Sequence, residues 1–341
     1  MKRRFIERVG AVLGAGLIML GSSAYGQARA ASTVPVSGLS KVAAYPTKPV
    51  RLVAGNPGAT ADILARHVGR WLTERWGQQV IVDNRGGAGG IRFAEFAARA
   101  TPDGYTLVMG NLPSHGIAVS IHRKLPYDPV KDFMPVARVA LVPMLLVVHP
   151  SVPAGSLREF IDYARQRPGA IDYASAGNGT GSHLTSELFK QLTRLDLVQV
   201  QYKGGGAQMV AIMSGETKTG FAALSTAWPM LTSGKLKPLA IASKQRAEAV
   251  PNVPTFDEAG MPGFESTIWF GIFAPARTPA ALVARLNRDI VEIARASSFR
   301  QELLKQGAEA APTTPEDFGA FVKTEIIKWR GVMKLAGISP R

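Results

Sequence analysis

Short apolar runs alternate along the chain with longer stretches whose apolar residues recur at helical spacing. The run ending at Val53 reads as a strand. Over about 61–76, Ile63, Leu64, Val68, Trp71 and Leu72 form one buried stripe, and Gly77 is placed to stop that helix. QVIVDN (79–84) is a second strand, RGGAGGIRFAEFAARA (85–100) a glycine turn feeding a second helix, and PDGYTLVMGN (102–111) a turn and third strand. After a loop-like stretch the alternation restarts at MLLVVHP (144–150), with a helix whose Ser156 and Glu159 have capping-box spacing. Strands follow at 199–204, 219–224 and 237–243, with a helix over 207–214. Such alternation predicts mixed, mostly parallel sheets flanked by helices, an α/β fold. The last third is helical. Thr278 is expected to cap a helix with Pro279 at its first position, and a final helix opening at Thr314 carries Phe318, Phe321, Ile326, Trp329 and Met333.

The helical tail has no lobe of its own, and IWFGIFAP (268–275) returns the chain towards the first half. The expected organisation is therefore two lobes, residues 32–145 with 265–341 and residues 146–264. Two crossings between them imply a hinge and a cleft.

Residues 51–72 and 171–192 share one design: an apolar strand, a Gly/Asn/Ser/Thr loop, then an amphipathic helix. Backbone N–H groups at a helix start lack intrahelical partners and lie at the positive end of the macrodipole, so each loop is a candidate anion cradle. Gly55, Asn56, Pro57, Gly58, Ala59 and Thr60 make the first, with Asp62 in the first helical turn. Ser175, Gly177, Asn178, Gly179, Thr180, Ser182 and His183 make the second. Asn111, Ser114 and His115, at the end of the third strand, complete the set on the lobe-one side. Uncharged donors of this kind hold a carboxylate without burying an arginine.

The N-terminus changes the picture of where this fold works. Lys2, Arg3, Arg4 and Arg8 precede an apolar run from Val9 to Leu20, and Ala28-Arg29-Ala30 is a cleavage-site pattern, with Ala24-Tyr25-Gly26 a competitor. Residues 1–31 read as a secretory signal peptide, too short in its apolar part to anchor in a bilayer, and the expected location is the periplasm. Arg3-Arg4 raises twin-arginine export, but the motif is bare and ordinary secretion is favoured. The chain has no cysteine, which excludes disulfides, thiolate metal sites, a cysteine nucleophile and a lipoprotein anchor. Its formal charge is +15, but Lys and Arg are scattered along helices and the chain is exported, so no nucleic-acid partner is expected.

Catalytic patterns are missing. There is no G-x-S-x-G, no H-E-x-x-H and no P-loop, and RGGAGG departs from the dinucleotide fingerprint. Of the five histidines, His67 and His149 read as structural and His122, beside Arg123 and Lys124, as a solvated surface residue. His115 and Ser182 offer a base and a nucleophile without an orienting carboxylate. The chain reads as a binding protein, not an enzyme, with neither cofactor nor metal.

The segments PTKPVRLV, PGATAD, GQQVIVDNRGGAGG, PDGYTLVMGN, LPYDPVKDFMPVA, YASAGNGTGSHL, QYKGGGAQMVAIMSGE, VPTFDEAG and WFGIFAPARTP occur in that order. Together they resemble the substrate-binding proteins of tripartite tricarboxylate transporters, the Bug or TctC family, over residues 46–338. The resemblance implies a two-lobed fold like the type II periplasmic binding proteins. It also implies that both loops hold one ligand carboxylate in the interlobe cleft, that the solute is delivered to a membrane permease, and that the protein acts as a monomer. A periplasmic sensor of the same fold, feeding a signalling partner, is the alternative. Two departures from the family pattern bear on specificity. Ala54-Gly55 stands where many members have Pro-Phe, which is expected to widen the mouth or alter the ligand. Phe221-Ala222-Ala223-Leu224-Ser225 lacks an aspartate common there, which disfavours an amino acid and favours a less polar, aromatic or dicarboxylate ligand. Trp269 and Phe270 would suit a ring, a core role being the alternative for either.

Overall fold

The computed structural model describes residues 44–87 and 90–340; the expected signal peptide lies outside them. The first half forms β1 (Val50–Ala54), α1 (Thr60–Trp76), β2 (Val80–Asn84), α2 (Ile91–Ala98) and β3 (Thr106–Asn111). A wide helical turn at Leu112–Ile117 runs into the short α3 (Ala118–Ile121). β4 (Phe133–Val148) leads to α4 (Leu157–Arg165), β5 (Ile171–Ser175), α5 (Gly181–Thr193), β6 (Leu197–Gln201), α6 (Gly205–Met213), β7 (Thr219–Ala223), α7 (Leu224–Thr232) and β8 (Lys237–Ile241). The chain ends with β9 (Thr267–Pro275), α8 (Ala280–Arg295), α9 (Ser297–Leu304), β10 (Glu309–Ala310) and α10 (Pro315–Leu335).

The strands run in the order β2-β1-β3-β9-β4-β7-β5-β6, with β8 and β10 also paired to β4. β1 lies parallel to β2 and β3, and β5 parallel to β6 and β7. Every antiparallel pairing involves β4 or β9, the strands that carry the chain between lobes. Val50, Leu52 and Ala54 pack one face of the first half against α1 and α8, while Val53, Val108 and Phe273 pack the other against α2 and α10. The second half is covered on both faces in the same way. Burial on both faces is why these strands read as apolar runs rather than as alternating ones.

β4 is eleven residues longer at its start than its apolar pattern predicts, because Pro135, Arg138 and Pro143 disguise it. A proline fits a central strand only where the ladder is interrupted. The register with β9 shifts between Pro135 and Ala137 and again between Arg138 and Ala140. Pro143 is the last residue paired with β9, and from Met144 onward β4 pairs with β7. At that point Met144 N–H donates to Ser266 O at 3.0 Å, Ser266 N–H to Ala242 O at 2.9 Å and Ala242 N–H to Met144 O at 2.8 Å. The two crossing segments are thus tied together where the sheet changes lobes.

Two helices differ in detail from their sequence reading. Pro279, not Thr278, is the N-cap of α8, and the Thr278 hydroxyl donates to Pro275 O at 2.7 Å. α10 packs on β4 and also reaches α5, where Gln191 Nε2 donates to Val332 O at 2.9 Å. No helix among the described residues is long and apolar enough to cross a membrane.

Candidate functional site

The first loop joins β1 to α1. Its N-cap, Ala59, has no side chain to cap the helix. Ala59 O accepts the N–H of Asp62 and of Ile63, but among the described residues no protein acceptor meets the N–H of Thr60 or Ala61. The loop is held from below by Asp62, whose carboxylate accepts from Gly58 N–H at 2.8 Å, Asn84 Nδ2 at 2.9 Å and Arg66 Nε at 2.9 Å. Asn84 Nδ2 also donates to Gly55 O at 3.0 Å. Burial alone would raise the Asp62 pKa; the hydrogen bonds from Gly58, Asn84 and Arg66 outweigh it and hold the group ionised below its ordinary range.

The second loop joins β5 to α5 and repeats the plan with a different brace. Ser182 Oγ accepts the Ala176 N–H at 2.9 Å, the Thr180 hydroxyl donates to Gly177 O at 2.7 Å, and His183 Nδ1 accepts the Gly179 N–H at 3.0 Å. The N–H groups of Gly181 and Ser182 have no protein acceptor among the described residues. Glycine is needed at Gly177 and Gly179, where φ is +125° and +74°.

Both helix starts open on the same space. Ala59 and Ala61 from one, and Thr180 and Gly181 from the other, line a cleft of about 590 Å³. A recess of about 200 Å³ continues it, bounded by Thr60, Thr180, Gly181 and Ser182. Among the described residues, no Lys, Arg, Asp or Glu lines either cavity. Beyond the loops the lining is mostly apolar, from Phe93, Pro113, Ile117, Ile121 and Ile268, joined by Asn111 and His122. An anion entering here would meet free N–H groups and two helix dipoles on one side and mostly hydrocarbon on the other.

The structure sorts the sequence candidates. Gly55, Asn56, Ala59, Asn111, Asn178, Gly179 and Thr180 line the cleft, and Thr60, Ser182 and Ala223 line the recess. His183 faces an adjoining cavity. Pro57 and Gly58 are exposed but border neither cavity, and Gly177 serves the loop through its carbonyl. Asp62 is a correction: its oxygens are taken by the loop it supports. Ser175 is another, fully buried with Gln199 Nε2 on its hydroxyl at 2.8 Å. Ala222 faces the core beside Leu145, since neighbouring strand residues point to opposite sides. The same parity corrects Trp269, which is fully buried against Phe318 and Phe321, whereas Ile268 lines cleft and recess and Phe270 the recess.

His115 and Ser114 are also fully buried, behind the cleft. Ser114 braces Asn111, its N–H donating to Asn111 Oδ1 at 3.1 Å. The His115 ring stacks on Phe273 with centroids 4.3 Å apart, and among the described residues its Nε2 has no partner. His115 therefore does not share the cavity with Ser182, and that pairing of base and nucleophile is not assembled. Burial pushes the His115 pKa down to about 3. The unfolded chain then binds a proton that the folded one refuses once the pH falls below 6.5, the ordinary value. Stability is expected to fall by up to about 1.4 kcal/mol per pH unit between 6.5 and about 3. Urea midpoints at pH 7 and pH 5 check this, and His115→Phe should flatten the difference.

Several wall residues escaped the sequence reading. Phe93, Ile117 and Ile121 look like core residues, and His122, read as solvated, is half-buried on the cleft wall. The Phe93 ring lies beside Gly55: a β-carbon there would sit 3.7 Å from Phe93 Cε1.

Comparison with known proteins shows the family and the fold. The family model described as "Tripartite tricarboxylate transporter family receptor" matches residues 64–338. BugT of Bordetella pertussis is 32% identical over 295 residues, 86% of this chain and 90% of that protein. Among solved structures, Rpa4515 of R. palustris with adipate has a TM-score of 0.77 at 36% identity, covering 87% of this chain and all of that one. MatC of Rhodopseudomonas palustris with bound malate has a TM-score of 0.70 at 34% identity, covering 84% and 99%. The periplasmic binding protein BugD has a TM-score of 0.72 at 30% identity, covering 87% of this chain and all of that one. A family match across four-fifths of the chain, on a periplasmic binding protein fold with two open helix starts facing one cleft, makes this chain a member of the tripartite tricarboxylate transporter receptor family.

Proposed function

We propose that the protein is an exported, periplasmic solute-binding protein that captures a small carboxylate between its lobes and delivers it to a tripartite tricarboxylate-type permease. One observation carries this reading: two helix N-termini, each with two N–H groups that no protein atom among the described residues satisfies, open on one cleft and its recess, which no charged side chain of the described residues lines. The lobes, residues 32–145 with 265–341 and residues 146–264, close about the crossings at Pro143–Met144 and Ser266. The carboxylate bridges Thr60 and Ala61 on one lobe and Gly181 and Ser182 on the other, so it binds the closed arrangement better than the open one. Phe93, Ile117 and Ile121 select an acid with an apolar or aromatic body. The adipate and malate held by two relatives support a small carboxylic acid as the class of ligand.

Thermal unfolding of the mature protein in the presence of dicarboxylates, tricarboxylates, aromatic acids, sugars and cations tests the reading. A ligand at a hundred times its Kd stabilises the native state by about 2.7 kcal/mol, several degrees in Tm for a chain of this size. The reading expects an upward shift with at least one acid. A response confined to sugars or cations overturns it.

A further inference from the structure

A cavity of about 460 Å³ adjoins the ligand cleft and is built from different chemistry. It shares Ile121, Asn178 and Gly179 with the cleft, and the Ile121 side chain occupies the space that a β-carbon on Gly179 would need. That contact divides one interlobe channel into two chambers. The first combines the loop N–H groups and the uncharged side chains of Asn56, Asn111 and His122 with the apolar Phe93, Pro113, Ile117 and Ile268. The second carries His183, Glu187 and Lys190 from one face of α5, spaced at successive turns, with Gln199 of β6 beside them.

Among the described residues, His183, Glu187, Lys190 and Gln199 each keep one capacity unused. His183 Nδ1 accepts the Gly179 N–H, which places the ring proton on Nε2. Burial holds the ring neutral, so Nε2 is a donor. Glu187 Oε1 accepts from Tyr173 Oη at 2.6 Å and from Lys190 Nζ at 3.0 Å, leaving Oε2 and the other ammonium protons. Gln199 Nε2 donates to Ser175 Oγ and Asn178 Oδ1, leaving its carbonyl. Donors and acceptors stand side by side, and the Glu187 and Lys190 charges cancel. A second carboxylate would face Glu187, whereas a hydroxyl both donates to Glu187 or Gln199 and accepts from His183 or Lys190.

We infer that this chamber is a subsite for a hydroxyl at the far end of the ligand, so that the preferred solutes are hydroxy acids. The carboxylate lies at the two helix starts, the carbon chain passes Ile121, and the terminal hydroxyl reaches α5. The inference rests on the carboxylate reading of the cleft.

Calorimetric titration with a homologous series of unbranched acids, their ω-hydroxy counterparts and the matching dicarboxylates tests it. At one chain length the hydroxyl is expected to tighten binding about tenfold over the unsubstituted acid, and the second carboxylate is not. His183→Asn keeps an acceptor for Gly179 N–H while removing the Nε2 donor. Lys190→Met removes the ammonium. Each variant is expected to lose most of the gain, and Lys190→Met, which lies outside both loops, is expected to bind the unsubstituted acid within about twofold of the parent. A series with no gain at any length overturns the subsite but leaves the carboxylate cleft standing, as does a gain that survives both variants or one given by the dicarboxylate instead. If no acid of any class binds, the carboxylate reading itself fails, and the subsite with it.

Discussion

Gly179→Ala is expected to weaken carboxylate binding at least about tenfold while leaving the fold intact. Two separate costs meet at this residue. Its φ of +74° lies in the left-handed region, where a side chain costs about 1–2 kcal/mol. That strain falls on the open and closed arrangements alike, so it lowers stability and leaves affinity alone. The second cost is steric. An added β-carbon would overlap Cδ1 of Ile121, which belongs to the opposite lobe. This overlap exists only when the lobes are together, so it is subtracted from the closed state that binds ligand, and every 1.4 kcal/mol of it is a factor of ten in Kd. Urea unfolding and calorimetric titration separate the two costs. Combining Gly179→Ala with Ile121→Ala should recover affinity without recovering stability. An unchanged Kd for Gly179→Ala would mean that the contact is not part of the bound state.

Trp329→Ala is expected to cost about 3–5 kcal/mol, a large share of the stability of a natural protein. Trp329 is fully buried on α10, and its Nε1 donates to Glu325 Oε2 at 2.9 Å. The cluster around it joins Phe273 and Phe318 to Leu184 at the start of α5. Losing the ring therefore empties a core that supports the second loop as well as the first lobe. Trp329→Phe keeps much of the packing but strips Glu325 of one partner, leaving Lys328 at 3.4 Å, and should cost less. Urea midpoints of the two variants give the order. Equal losses would place the effect in the hydrogen bond instead of the packing.

The parts of the fold legible in the chain were those with local causes. The strand–loop–helix units at residues 51–72 and 171–192 announce themselves through glycine, small polar residues and a helical stripe, and both loops reach the cleft. What was not legible depended on long-range pairing. β4 hides behind two prolines whose tolerance comes from register shifts and from a change of partner at Met144. The apolar wall at Phe93, Ile117 and Ile121 carries no signal that distinguishes it from core, because burial beneath a ligand and burial beneath a helix demand the same residues. Asp62 shows the converse: its place in the first helical turn marks it as important, but only the bonds to Gly58 and Asn84 show that it braces the loop. Trp269 could have been set aside beforehand. In a strand, Ile268 and Phe270 share one face and Trp269 takes the other, so both aromatic residues could not line one cavity.

The central claim is that two opposed helix starts hold one carboxylate. A crystal structure of the mature protein with its tightest-binding acid tests it most directly. The account predicts one carboxylate between the loops, its oxygens within hydrogen-bond reach of the Thr60 and Ala61 N–H groups on one lobe and the Gly181 and Ser182 N–H groups on the other, directly or through one water. An acid held by lysine or arginine side chains outside the cleft, or by a single loop with the other helix start left to solvent, would contradict it.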